Sequence, residues 1–134
     1  MTYIHDTANI YDTATIGEDC SIGAFVEIGK DVTIGNRCKI GCGAFIPENI
    51  IIADDVFIGP KVTFTNDKNA PSNGEWRSLP PTVVEDNASI GANSTILPSL
   101  TIGSGSVVGA GSVVTKSVPR GCTVYGNPAK RSSQ

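Results

Sequence analysis

Histidine is almost missing from the chain: there is one, His5. A zinc centre built on imidazole needs several such ligands, so a single one excludes it. Cysteine does not fill the gap. The four cysteines, Cys20, Cys38, Cys42 and Cys122, form no CxxC pair, and they read as small buried thiols rather than as metal ligands or a redox couple. Positive charge is also scarce and scattered. Ten Lys and Arg stand against thirteen Asp and Glu, for a net charge of −3 without any basic block. Affinity for nucleic acid rests on concentrated positive charge, so a nucleic-acid surface is excluded as well. No apolar run approaches the roughly 18 to 20 residues of a membrane span. The opening segment MTYIHDTANIYDTATIG carries neither a basic leader nor a signal-peptide core. The protein is therefore expected to be soluble and cytoplasmic. Aromatic residues make up only 6% of the 134 residues, so one domain's core must come from aliphatic side chains.

What is present is a period. Ile4, Ile10, Ile16, Ile22, Ile28, Ile34, Ile40, Ile46, Ile52, Ile58 and Phe64 follow one another at steps of six, and Val84, Ile90, Ile96, Ile102, Val108 and Val114 keep the same step. The next residue is usually glycine: Gly17, Gly23, Gly29, Gly35, Gly41, Gly59, Gly91, Gly103 and Gly109. Two residues before each large side chain stands a small or apolar one, such as Ala8, Cys20, Val26, Cys38, Val56 or Ser94. A step of six matches neither the 3.6 of a helix nor one uninterrupted strand. It matches a short strand followed by a corner, with two inward residues per strand two positions apart. The glycines are expected to permit the tight turn.

Three such units close a triangular coil of 18 residues, and the spacing predicts coils stacked in register at about the 4.8 Å of neighbouring strands. The fold class is an all-β parallel β-helix of about six coils. In order they are Ile4/Ile10/Ile16, Ile22/Ile28/Ile34, Ile40/Ile46/Ile52, Ile58/Phe64/Val84, Ile90/Ile96/Ile102 and a last coil from Val108 and Val114. Each buried aliphatic contributes on the order of 1.5 to 3 kcal/mol, so a column of seventeen suffices as a core. Cys20 and Cys38, 18 apart, stack inside one wall. The pattern itself does not set the handedness.

The repeat stops in two places. Between Phe64 and Val84 the step is twenty, so fourteen extra residues leave the wall at 65–83 and return in phase. That excursion is rich in Asn, Asp, Pro, Ser and Gly, which is loop chemistry, and it holds the only tryptophan, Trp76. A long structureless excursion in a compact domain is usually functional or disordered, and the in-phase return favours a loop that shapes a site over a bland surface excursion. After Val114 the repeat fades into TKSVPRGCTVYGNPAKRSSQ, where Pro119, Gly121, Gly126 and Pro128 break the rhythm and Lys130 and Arg131 add positive charge. A solvated basic tail accounts for those cations, and so does an anion such as a nucleotide phosphate. Residues 1–118 are taken as the β-helix and 119–134 as a cap.

The chain resembles the hexapeptide-repeat, left-handed β-helix acyltransferases over essentially its whole length. The closing segment GAGSVVTKSVPRGCTVYGNPAK is similar to the acetyl-CoA-binding end of that family. FIGPKVTFTND and ASIGANSTILPSLTIGSGSVVGAGSVVTK are most similar to the nucleotide-sugar N-acetyltransferases, which acetylate UDP- or dTDP-linked amino sugars for bacterial surface polysaccharides. The resemblance implies a homotrimer with acetyl-CoA as co-substrate, held in the groove between neighbouring β-helices. It places Gly91, Ala92, Gly109 and Ala110 against the thioester arm, with Thr115 and Lys116 flanking it further along. It sets Pro128 beside the adenine, Lys130 and Arg131 near the phosphates, and Asn66 near the acceptor amine. Relatives often continue FTND with a Tyr-Pro-Arg or similar basic element, whereas this chain continues with Lys68, Asn69, Ala70, Pro71 and Ser72. The chain is expected to start directly in the coil, without the extra N-terminal nucleotide-binding domain that some sugar acetyltransferases carry.

Acyl transfer to an amine requires a neutral amine held near the thioester carbonyl, a proton acceptor and a donor to the developing oxyanion. Relatives that acetylate hydroxyls often use a histidine base. His5 lies in the first coil, far from the excursion along the axis, and reads as a corner residue. The same scarcity removes the zinc carbonic anhydrases of this fold. Asn66 is expected to orient the acceptor, with Asp67 or solvent taking the proton. The rival readings are an O-acetyltransferase of a sugar or small alcohol, which the missing loop histidine disfavours, and a non-catalytic β-helix scaffold.

Overall fold

A computed structural model of the chain describes residues 1–67, 72–74 and 79–132. The expectations placed on Lys68, Asn69, Ala70, Pro71 and Trp76 fall outside those residues. Among the described residues there is no helix, and so none long and apolar enough to cross a membrane. The chain is a left-handed parallel β-helix of about six turns. Each turn adds one short strand to each of three walls. In the first wall Tyr3 and Ile4 pair with Ser21 and Ile22, 18 residues on, and this register is kept up the stack.

The excursion re-enters in phase, as the step of twenty requires. Thr82, Val83 and Val84 pair with Ile50, Ile51 and Ile52 on one side, and Val83 and Val84 pair with Thr101 and Ile102 on the other. The large inward residues at the sixfold step, from Ile22 to Val114, are at most 2% exposed. The column is not uniform, however. Ile4 is 43% exposed, because a terminal coil is covered on one side only. At the other end the column runs past its expected stop. Val118 bridges to Ile102, and Val124 pairs with Val108. The step from Val114 to Val118 is four, which hides both from a count by six.

Two expectations are corrected. First, the repeat glycines do not supply the turn. The left-handed backbone falls two residues later, at Asp19, Phe25, Asp31, Arg37, Asp55, Lys61, Asn87, Asn93 and Ser99, with φ between 57° and 63°. The glycine position serves close stacking instead. A Cβ on Gly59 would lie 2.6 Å from the Ala92 amide nitrogen, and one on Gly91 would lie 2.5 Å from that of Ala110. Second, one of the four thiols is exposed. Cys20, Cys38 and Cys122 are buried, and the Cys20 and Cys38 thiols donate to the Gly35 and Ala53 carbonyls at 3.1 and 3.0 Å. Cys42 sits at a corner in solvent, because its place in the hexad is not an inward one.

Candidate functional site

The excursion leaves and returns at the corner between the second and third walls, and hydrogen bonds fix both ends. On the departing side the Asn66 amide donates to the Glu48 carbonyl at 3.1 Å, and the Thr65 hydroxyl donates to the Ile96 carbonyl at 2.9 Å. On the returning side the Asn49 amide donates to the Leu79 carbonyl at 2.8 Å. The Ser99 hydroxyl donates to the Pro80 carbonyl at 2.7 Å. Thr82 completes the anchor, its hydroxyl accepting the Ser99 amide at 2.9 Å. Backbone polar groups that would otherwise hang free at an insertion are thereby satisfied.

Under this anchored corner lies a cleft of about 400 Å³. Leu79 and Pro80 of the returning segment face Leu97, Pro98 and Leu100 of the next coil, so its described walls are largely apolar. Thr65 and Asp67 line it from the departing segment, and Thr115 lines it from a coil further up. The two places where the repeat is disturbed therefore share one cleft.

The sequence-derived residues divide into three groups. Asp67 and Thr115 line the cleft, with Asn66 and Lys116 beside them in the chain. Gly91, Ala92, Gly109 and Ala110 stand on a different corner, between the first and second walls, where Gly59, Gly91 and Gly109 stack successively. Stacking alone requires glycine at 91, whose added Cβ would strike backbone. At 109 the nearest atom is the Tyr125 Cβ at 2.9 Å. The third group lies on the terminal hairpin, where Thr123–Gly126 pairs antiparallel with Ala129–Arg131 across a cis Asn127–Pro128 bond. Pro128, Lys130 and Arg131 are all exposed there. The hairpin stacks on the Gly109 corner, where the Gly109 amide donates to the Val124 carbonyl at 2.9 Å, whereas the cleft of Asp67 and Thr115 lies at the next corner. His5 remains in the first coil, its Nδ1 2.9 Å from the Thr7 hydroxyl. Among the described residues, no group of three or more His, Cys, Asp and Glu side chains is placed to hold a metal ion.

Leu79, Pro80, Leu97, Pro98 and Leu100 were not anticipated as site residues. A signal for them exists. At the corner between the second and third walls the residue after the inward side chain is Tyr11, Gly29, Pro47, Thr65, Leu97 and Thr115, so glycine occurs once. At the corner between the first and second walls it occurs at 23, 41, 59, 91 and 109. A corner without glycine carries side chains where the other carries only tightly stacked backbone.

The repeat profile described as "Bacterial transferase hexapeptide (six repeats)" matches residues 31–66 and 81–116, and "Hexapeptide repeat of succinyl-transferase" matches 13–47. The chain belongs to the bacterial transferase hexapeptide family. Among solved structures it is similar to a variant of the GDP-perosamine N-acetyltransferase of Caulobacter crescentus, crystallised with CoA and GDP-perosamine. The TM-score is 0.86 at 26% identity, over 99% of this chain and 57% of that one. It is also similar to a variant of AntD, an N-acyltransferase of Bacillus cereus crystallised with dTDP and coenzyme A. There the TM-score is 0.83 at 25% identity, over 97% and 78% of the two chains. A 2,3,4,5-tetrahydropyridine-2,6-dicarboxylate N-acetyltransferase of Staphylococcus aureus is 42% identical over 53 residues, 40% of this chain and 22% of that protein. The chain thus spans about a fifth of that relative and just over half of the perosamine enzyme.

Proposed function

We propose that the chain transfers an acetyl group from acetyl-CoA to the amine of a nucleotide-linked amino sugar. The observation that carries this reading is the shared cleft: Asp67 of the excursion and Thr115 of the ending, far apart in sequence, line one open cleft. The family membership and the CoA-bound neighbours support the donor, and the GDP- and dTDP-bound neighbours support a nucleotide on the acceptor.

In this reading the neutral amine attacks the thioester carbonyl at the rim of the cleft. The C–N bond forms as the carbonyl electrons move to oxygen, where backbone amides of the groove stabilise them. Collapse of the tetrahedral adduct breaks the C–S bond and releases CoA thiolate. The ammonium proton passes to the Asp67 carboxylate or to solvent, and the thiolate is protonated in turn. Asn66 already donates its amide to Glu48, which holds the side chain with its Oδ1 available to accept an amine hydrogen. Asn66 is therefore a positioning group.

The separation of the two corners favours a homotrimer. A thioester arm that touches both Ala92 or Ala110 and Thr115 does so most simply in a groove where one copy offers the corner of Gly91 and Gly109 and its neighbour offers the cleft. Lys130 and Arg131 then supply cations for the CoA phosphates, Lys116 flanks the arm beside Thr115, and the C-terminal cap borders the adenine at Pro128.

The test is thiol release from acetyl-CoA with a panel of GDP-, UDP- and dTDP-linked amino sugars. The Asp67→Asn and Asn66→Ala variants should each lose roughly 10²-fold or more in kcat/KM, the scale of general-base and oxyanion contributions. Near wild-type turnover in both would refute the assignment.

A further inference from the structure

Phe25 is misplaced for a monomer. It is the one aromatic side chain among the described non-glycine residues with left-handed backbone, at φ 58°, where bulky residues are rare, and it is 73% exposed. The stack holds it there. Its amide donates to the Thr7 hydroxyl of the coil below at 2.9 Å, and the Ala24 carbonyl accepts the Gly43 amide of the coil above at 2.8 Å. Strain of this kind persists only where the surroundings enforce it. A fixed, exposed ring is the form that an interface anchor takes.

The same coil carries a hollow of matching size. At the corner between the second and third walls Tyr11, Gly29 and Pro47 stack in successive coils, and Gly29 admits no side chain, because an added Cβ would lie 2.7 Å from the Glu48 amide nitrogen. The result is an open hollow of about 170 Å³ lined by Tyr11, Glu27, Gly29, Lys30, Pro47 and Glu48. A cavity of about 150 Å³ is enough for a benzene. Phe25 stands on the corner between the first and second walls, so no copy can fill its own hollow. A second copy can. A knob and a hollow on different corners make a heterologous contact, which closes into a ring or runs on as a filament. These two corners bound one wall, the second, and three copies joined corner to corner around an axis parallel to the solenoid close a triangle with that wall inside.

We infer that Phe25 of one copy seats between Tyr11 and Pro47 of the next, and that this contact delivers Lys61 of the first copy to the neighbour's Asp67 site. The second half rests on the transferase reading and names a residue that one copy adds to another's site. Coils rise about 4.8 Å each, so seating one coil sets the height of the rest. Lys61 lies two coils above Phe25 on the same corner. Its amide donates to the Cys42 carbonyl at 2.9 Å, and its stem runs over Gly43, with Cγ 3.3 Å from where a Cβ on Gly43 would stand. The next corner of that coil is Thr65, Asn66 and Asp67. Lys61 therefore meets the neighbour's excursion at equal height, one coil below Ala92, on the corner assigned to the thioester arm. A lysine there suits the diphosphate of a nucleotide-linked acceptor as a point charge.

Sedimentation equilibrium of the full chain, with circular dichroism as the check on folding, reads the contact. The wild type should sediment as a trimer and Phe25→Asp mainly as a monomer at the same micromolar concentration. Phe25→Asp should fold normally, since Asp31 and Asp55 hold the same backbone on other corners. Tyr3→Asp, at another exposed aromatic but on the first wall, should stay trimeric. A monomeric wild type, a trimeric Phe25→Asp, or equal dissociation of Tyr3→Asp overturns the contact. Lys61 is tested in mixed trimers, co-expressed from differently tagged Lys61→Ala and Asp67→Asn chains and purified on both tags. Every mixed ring holds one site of three with both residues intact, so thiol release from acetyl-CoA with the panel of nucleotide amino sugars should reach about a third of the wild-type rate at low acceptor. Lys61→Ala alone should retain about a tenth or less, the loss of a hydrogen bond to a charged group. Mixed trimers no more active than their parents overturn the delivery of Lys61. A trimeric wild type that releases no thiol with any member of the panel overturns the transferase reading and the role of Lys61 with it, while dissociation of Phe25→Asp still upholds the contact.

Discussion

Gly59→Ala should destabilise the β-helix far more than alanine at a glycine that turns the chain. The Cβ added at 59 lies 2.6 Å from the Ala92 amide nitrogen and 2.9 Å from its Cα. Ordinary contact begins near 3.4 Å, so two stacked coils must part by several tenths of an ångström. Both coils are held by the parallel hydrogen bonds of three walls, so the strain cannot be relieved locally. Overpacking costs about 1 to 3 kcal/mol, and rigid backbone obstruction puts this case near 3. Gly105→Ala is the control. Its φ is +66° with nothing within 4 Å of the added Cβ, so it pays only the left-handed backbone cost of about 1 to 2 kcal/mol. Urea unfolding followed by circular dichroism reads both. Ala92→Gly in the Gly59→Ala background should not rescue, because the obstructing atoms are backbone. Tyr125→Gly should rescue Gly109→Ala, where the nearest obstruction is the Tyr125 Cβ. A Gly59→Ala variant no less stable than Gly105→Ala would refute the stacking argument.

Ile46→Ala empties a fully buried site of the column and should cost about 2 to 5 kcal/mol, whereas Ile4→Ala, at a site 43% exposed, should cost about 1 kcal/mol in the same unfolding assay. Native alkylation at pH 8 should label one thiol, Cys42, with the other three appearing only after unfolding, as mass spectrometry would show. Burial pushes the Cys38 thiol from its ordinary value near 9 up to about 11. Its contribution to stability is therefore complete below pH 9 and is lost as pH rises toward 11. Denaturant midpoints measured at pH 8, 9.5 and 10.5 should fall in that order, less steeply in Cys38→Ala. Acetyl-CoA should raise the melting temperature in a concentration-dependent way, and no shift at millimolar ligand would count against the donor groove.

The architecture was legible because an inward residue at every sixth position can be satisfied by few folds. Ile16, Ile22, Ile28 and Ile34 show the step, and Ile22, Ile40 and Ile58 show the coil of three steps. What the period could not say is which corner residue takes the left-handed turn. Phe25, Arg37 and Lys61 do so although none is a residue that favours it, because the stack on either side holds the backbone there. The glycines were visible, but their role was misread, since a close approach between coils is a property of the stack and not of one hexad. The terminal coil hid behind a step of four. The cleft was half legible. Asp67 and Thr115 were named from motifs, while Leu79, Leu97 and Leu100 meet only once the coils are stacked and the excursion has returned. Which residues converge depends on the wall on which each falls, so the one-dimensional pattern showed two interruptions without showing that they face the same space.

A crystal structure with bound acetyl-CoA shows directly whether the excursion and the ending form one acyl-transfer site. The pantetheine arm should lie along the corner of Ala92 and Ala110, in a groove shared with a second copy, with the thioester beside Thr115 and Asp67. Electron density for the thioester at another corner, or at the solenoid's open first coil, would contradict it.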